Sequence, residues 1–416
     1  MAPVLLAAAL VLLLAAQAGA AALRVGYVQS NASTQVLRDV VRAFEERAGA
    51  NLVELVPFSN GEAQRMLPQW LLTGEKADIF YLSYDLIAWL KNQDLMLYLD
   101  GFRWQSVLEA LKAFPPGMIA AVEDARGLVG VPMTADVDVL QYNETLLAQY
   151  GIPPLRQFGQ DWTWREFVDI GRRVADPDRG QYFLHLDLEM VAVYFLVHGQ
   201  VTSPDGRSAV INQSPNPEFL ELVQNAIHRD RISPPPSRQQ DTTRHFRERR
   251  LALRNSAITG LLPPALAQSN WMLNAGFTWD VVPYPLSPFN FQRPGLGSGN
   301  ALVVAQGALL SPEMVSFLAF AASPQGQEAV ARSGRALPAL WQLWPELVNT
   351  AGGPPQNTVA FYQAVQSWQH FAFPQVPPQQ VERLAAPLAA VMEGALSPTA
   401  ALAQMQRLLD EILRNL

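Results

Sequence analysis

The chain has 416 residues, 49% of them hydrophobic, a net charge of −7 and no cysteine. That length exceeds what one hydrophobic core ordinarily serves, so two lobes are expected. The acidic balance argues against nucleic acid or an anionic membrane surface as partner, since both require a basic face, and the lack of cysteine excludes disulfides, thiolate metal sites and a lipid anchor on cysteine.

Residues 1–22 read as a secretory signal peptide rather than as fold. Val4–Ala16 form an apolar stretch and Ala18-Gly19-Ala20 supply a small-residue cleavage site, although no Lys or Arg precedes them. The run is too short and too rich in alanine for a membrane anchor. A protein released into the periplasm, with no stable membrane insertion, is expected.

From Leu23 onward strand and helix signals alternate. Leu23–Val28, Asn51–Val56 and Ala77–Leu82 read as strands, and Thr34–Ala48, Glu62–Leu72 and Asp85–Lys91 as helices; Val36, Val40, Val41 and Phe44 fall at helical spacing in the first of these. Such alternation predicts βαβ units and a mainly parallel sheet, with ligands at the carboxyl ends of its strands. The loops there carry Gln29, Ser30, Asn31, Ser59, Asn60, Ser83, Tyr84 and Asp85, all able to hydrogen-bond hydroxyls. The Ser, Asn and Asp among them are equally ordinary helix N-caps, and the two roles are compatible.

Gly127–Asn143 organises the rest. An apolar run broken at Pro132 gives way to alternation from Ala135 to Tyr142, with Val137, Val139 and Gln141 on one side and Asp136, Asp138, Leu140 and Tyr142 on the other. It reads either as an ordinary strand with solvated carboxylates or as a strand crossing between lobes that turns Asp136 toward a cleft. Farther on, Trp164–Val174, Glu189–His198 and Asn216–Arg229 read as helices, and Tyr182–Leu186, Ser256–Gly260 and Trp279–Pro283 as strands. The basic run Arg238–Arg254, interrupted by Asp241 and Glu248, reads as a solvated helix face. Residues 284–299, rich in Pro and Gly, read as a second crossing before Ala301–Val304 rejoins the first sheet. The remainder is helical, over Val359–Phe371, Gln379–Met392 and Thr399–Leu413. No nucleophile elbow, metalloprotease motif or phosphate loop is present, and the five histidines have no ligand spacing.

Six segments carry a family resemblance. They are Ala77–Phe80, Val131–Asn143 with its Val-Pro, Asp and Leu-x-Tyr-Asn, Trp162–Phe167, Ser298-Gly299 with Ala301–Val304, Phe317–Gln327, and Arg335–Pro338. In this order they resemble the substrate-binding proteins of carbohydrate-type ABC importers, the maltose-binding and glycerol-phosphate-binding group. The resemblance implies an α/β, two-lobed periplasmic-binding-protein fold of type II, each lobe a mainly parallel sheet flanked by helices, with a helical C-terminal region. The N-terminal lobe would comprise 23–133 plus about 295–335 and the C-terminal lobe 134–294 plus about 336–416, with hinge crossings near 130–140 and 284–299. Trp162 and Trp164 would then pack beneath a helix.

Implied too is a monomeric periplasmic receptor, without cofactor or metal and not an enzyme, that captures a sugar or sugar-like polyol and delivers it to the permease of an ABC importer. Ligand contacts are expected from Asn31, Ser59, Asn60, Tyr84, Asp85, Asp136, Glu189, Trp271, Ser298, Gly299, Asn300 and Arg335, with Asp136 and Asp85 as main acceptors; Arg335 leaves open a phosphate or carboxylate on the ligand. Two departures matter. Leu261-Leu262-Pro263 and Asn300 stand where the family often carries an aromatic that stacks on sugar, which weakens the case for a long oligosaccharide. Trp271, Tyr284 and Phe289 are candidate substitutes. Two other readings stay open: a glycoside-acting enzyme with Asp85 and Asp136 as paired carboxylates, and a receptor for a sensor kinase.

Overall fold

A computed structural model describes residues 22–124, 126–198, 201–203, 207–261, 275–348, 353–370 and 376–414. The expected signal peptide and Trp271 lie outside the described residues. Among the described residues no helix is long and apolar enough to cross a membrane.

The first lobe starts as its alternation predicts. Strand β1 (Leu23–Val28) pairs in parallel with β2 (Val53–Phe58) and β3 (Ile79–Ser83). Helix α1 (Asn31–Ala48) buries Val36, Leu37, Val40, Val41 and Phe44, a single apolar stripe, and begins where the Ser30 hydroxyl accepts from the amide of Ser33. Helix α2 (Asn60–Thr73) begins with a capping box between Ser59 and Glu62, and α3 (Tyr84–Leu90) is capped by Ser83.

Strand β4 (Gly130–Asn143) then serves both lobes. Its residues as far as Val139 pack into the first core, whereas Leu140 and Tyr142 pack into the second. The second core is built by α4 (Trp164–Val174), α5 (Leu188–His198) and α6 (Asn216–His228), together with Leu253 of β5 (Leu253–Ala257) and Val282 of β6 (Trp279–Val282), whereas Trp279 and Val281 pack into the first. Both Trp162 and Trp164 are buried there; Trp164 meets Tyr194 and Phe219 edge-on. Strand β7 (Gly295–Val304) runs back, antiparallel to β4 and to β3, with Asp136 opposite Ser298 and Ser83 opposite Asn300. Beyond Val137, β4 leaves β7 and pairs with β5 and β6 instead.

Helices α7 (Pro312–Ala322) and α8 (Pro324–Arg332) cover the first sheet, and β8 (Leu337–Pro338) pairs with β4. Helix α9 (Val359–Gln366) and strand β9 (Trp368–Gln369) follow, then α10 (Pro378–Met392) and α11 (Pro398–Arg414). Leu337, Trp344, Phe361 and Trp368 belong to the first core, and the second core resumes at Val376. The packing therefore changes sides between Trp368 and Val376, not near residue 335 where the sequence suggested a boundary.

Three elements differ from expectation. Residues 182–186 form no strand, because their backbone partners sit on separate segments: Tyr182 donates to Arg250 while Phe183 donates to Ile232, so no ladder extends. The helix expected to reach Phe371 stops at Gln366, and β9 adds itself in parallel to Gly295 and Leu296. Strand β7 starts at 295 rather than 301, its pattern having been obscured by glycines that close packing demands. A Cβ on Gly297 would stand 2.2 Å from the Trp368 ring, and one on Gly299, at φ +143°, would stand 2.1 Å from the Thr134 carbonyl oxygen.

Gly299→Ala should therefore cost roughly 2–4 kcal/mol of stability, combining an unfavourable backbone region with a clash between crossing strands. Urea denaturation checks it. A midpoint like that of the native chain would show that β4 and β7 are not held this closely.

Candidate ligand-binding site

The carboxyl end of β3, the start of α1 and the paired middles of β4 and β7 converge on a polar cavity of about 290 Å³. Its walls include Ser33, Tyr81, Ser83, Asp85, Thr134, Asp136, Thr259, Ser298, Gly299, Asn300, Arg335 and His370. Thr134 lies at its centre: its hydroxyl accepts from the backbone amide of Asn300 at 3.0 Å and from the Asn300 side-chain amide at 3.3 Å, and sits 3.4 Å from the Tyr81 hydroxyl. These bonds fix the rims of three strands in one arrangement. Burial pushes the Tyr81 hydroxyl up to about 12, so it stays a neutral donor near pH 7.

Asp136 shows part of its surface to this cavity. Its Oδ1 accepts from the Val137 amide at 2.9 Å and the Thr259 amide at 3.3 Å, and its Oδ2 from the Thr259 hydroxyl. Burial nevertheless raises its carboxyl to about 6, opposed by those hydrogen bonds. Beneath it, the Trp368 indole donates to the Asp136 carbonyl at 2.8 Å, and Tyr84 meets the indole edge-on. The backbone of β4 at Asp136 is thus anchored by an aromatic pair.

A second cavity, of about 410 Å³, adjoins the first and shares Asp85, Ser298 and His370 with it. Asp138 and Glu189 line it, with Leu188, Phe195, Val381, Leu388 and Met405. Asn255 donates to Asp138 at 2.5 Å and accepts from the Tyr284 hydroxyl at 2.6 Å. Burial, with added repulsion from Asp136, Asp187 and Glu189, lifts the Asp138 carboxyl to about 7 against the pull of Asn255. Asp187 is likewise raised to about 6, chiefly by burial.

Of the residues expected to touch a ligand, Asp85, Asp136, Ser298, Gly299, Asn300 and Arg335 line the first cavity, and Glu189, in the first turn of α5 rather than in a loop, lines the second. Asn31 is exposed beside the lining residues Ala32 and Ser33. Tyr84 is 1% exposed and supports the wall from behind. Ser59 and Asn60 line neither cavity, and the Ser59 hydroxyl is engaged in its capping box with Glu62. Thr134, Thr259, Trp368 and His370 were not anticipated. Of these only Thr134, inside the Val131–Asn143 segment, carried a signal in the sequence. Among the described residues no three His, Asp or Glu side chains are grouped to hold a metal.

A cleft at paired crossing strands, between two α/β bodies, is the architecture of a solute-binding protein. The sequence of residues 30–224 matches the family described as bacterial extracellular solute-binding protein. The sugar-binding protein MalE from Xanthomonas citri superposes with a TM-score of 0.75 at 19% identity, over 95% of this chain and 98% of that one. A cyclic alpha-maltosyl-1,6-maltose binding protein from Arthrobacter globiformis gives 0.73 at 16%, over 95% and 100%, and M. tuberculosis UspC gives 0.72 at 19%, over 94% and 100%. A search of curated protein sequences gives no match. The family's model thus matches a little under half of the chain, and the superpositions show that the fold is that of these binding proteins.

The raised carboxyl of Asp138 has a consequence for stability. Its ordinary value is 3.8 and its folded value about 7, so between these the folded state holds the proton more tightly and stability falls as pH rises. Asp138→Asn should gain about 1–3 kcal/mol over the native chain between pH 4.5 and pH 8, read as the difference in urea midpoints at the two pH values. A difference that does not change with pH would contradict this electrostatic picture.

Proposed function

We propose that this protein is a periplasmic receptor for a sugar or sugar-like polyol, which it holds between its lobes and delivers to the permease of an ABC importer. The observation that supports this most is the position of Asp136, on one crossing strand directly opposite Ser298 of the other, at a cavity lined by hydroxyl and amide groups. A carboxylate accepts from two vicinal hydroxyls, and Ser298, Asn300, Thr134 and Ser33 offer both donors and acceptors.

Capture works by shifting a population. A ligand that touches Asp85 and Asn300 from the first lobe and Glu189 from the second makes more contacts when the lobes are together, and only such differential contact can favour closure. Micromolar affinity corresponds to about 8 kcal/mol, within reach of several charge-assisted hydrogen bonds and the burial of sugar CH faces. The aromatic surface available is modest: Tyr284 and Phe195 are both buried, although Phe195 borders the second cavity. A short ligand fits this better than a long chain. Release from a signal peptide and action as a monomer complete the reading. The family and the solved structures named above are binding proteins, which does not favour a hydrolytic role for Asp85 and Asp136.

A melting-temperature screen over hexoses, pentoses, disaccharides, polyols and glycerol phosphates should give at least one ligand that raises the transition by several degrees. Asp136→Ala should abolish that rise. The same rise in the variant would remove Asp136 from the site, and release of new reducing ends from any panel member would replace the receptor with an enzyme.

A further inference from the structure

The two chambers of the cleft differ in chemistry. The first mixes hydroxyls, amides and carboxylates with the guanidinium of Arg335; the second carries the carboxylates of Asp138 and Glu189, shares that of Asp85, and has no Lys or Arg in its lining. Apart from these groups and Ser298 its walls are mainly apolar, among them Phe195, Leu388 and Met405. An acidic lining alone would say little, but the wall common to both chambers holds a second, independent feature.

That feature is His370. Its side chain is only 10% exposed, and its Nδ1 lies 3.0 Å from the Gly297 carbonyl oxygen. A carbonyl oxygen only accepts, so in the neutral ring Nδ1 carries the hydrogen and Nε2 is left as an acceptor. Nε2 is buried with no hydrogen-bond partner among the described residues, and it stands 3.1 Å from Asp85 Oδ1, near enough for an ion pair but without hydrogen-bond alignment. The neutral ring therefore turns an acceptor toward another acceptor, and a donor from outside the chain would satisfy both.

We propose that the second chamber receives the amino group of an amine-bearing carbohydrate, whose N–H donors bond His370 Nε2 and the carboxylates of Asp85, Asp138 and Glu189. This rests on the reading of the cleft as a carbohydrate site and narrows it to a class of ligand. The hydroxyl-bearing part lies in the first chamber against Ser298 and Asn300, and Arg335, which lines only that chamber, does not oppose the cation. An ammonium offers three donors, fewer than the four acceptor groups of that lining, so every donor has a partner there. It also relieves the repulsion among Asp136, Asp138 and Glu189, a cost the free protein bears.

Calorimetry at pH 7.5 and low salt tests this with matched pairs: glucosamine, galactosamine and mannosamine against their parent hexoses, and the chitosan disaccharide against cellobiose. At least one amine should bind tenfold or more tightly than its neutral parent. In Glu189→Gln, an exposed position where the fold is not at risk, and in Asp138→Asn, the ratio of the two affinities should fall toward one. Equal affinity within every pair, or a preference that survives in the double variant, would overturn the proposal while leaving the carbohydrate receptor standing. Binding of no sugar, neutral or aminated, would overturn both.

Discussion

Everything in this molecule depends on the antiparallel pairing of two strands, Gly130–Asn143 and Gly295–Val304, each of which leaves one hydrophobic core and enters the other. Val131, Met133, Ala135, Val137, Val139 and Ala301–Val304 are buried in the first core, Leu140 and Tyr142 in the second, and Leu296 packs against the second. A strand shared in this way sets the two bodies at a fixed crossing, beside which α3 and α10 also meet. It also decides what faces the gap. With a side-chain period of two, the register that buries Val137 and Val139 necessarily turns Asp136 and Asp138 the other way. Glycine at 297 and 299 lets Trp368 and Thr134 approach closely enough to hold that register.

Much of this was legible beforehand because it rests on short-range rules. The alternation of β1 to β3 with their helices, the N-caps at Ser30 and Ser59, and the period-2 pattern of β4 are local signals that tertiary contacts only reinforced. Asp136 and Ser298 were both expected at the ligand from segments that resemble one family, but their pairing on adjacent strands was not, because 284–299 read as a connection. What remained hidden depends on distant packing. Trp368 and His370 follow a helical stretch and read as its continuation, yet the indole is drawn against Gly297 and the imidazole against the Gly297 carbonyl, contacts more than 70 residues apart in sequence. The Tyr182–Leu186 stretch has strand composition but partners on two separate segments. Its propensity was real and its ladder was not available.

The cleft is costly to the free protein. Asp136, Asp138 and Asp187 are all raised by burial, Asp138 further by its acidic neighbours, and His370 leaves a buried nitrogen unbonded among the described residues. A chain selected for stability alone would neutralise these groups or cover them with apolar side chains, as it does throughout both cores. Violations of local rules that gather at one place are expected where a protein meets its ligand, and here Asp136 lines the first cavity, Asp138 the second, and His370 the wall they share. Ligand contacts there would repay part of the desolvation already incurred, which is how a preorganised site gains affinity.

The lack of native cysteine makes the central claim directly measurable. Spin labels on Arg38→Cys, on α1 of the first lobe, and Glu221→Cys, on α6 of the second, both at exposed positions, report the separation of the two bodies. With a sugar that raises the melting temperature, double electron–electron resonance should show the distance distribution narrow and move by several ångströms. An unchanged distribution at saturating sugar would contradict a receptor that works by closing around its ligand.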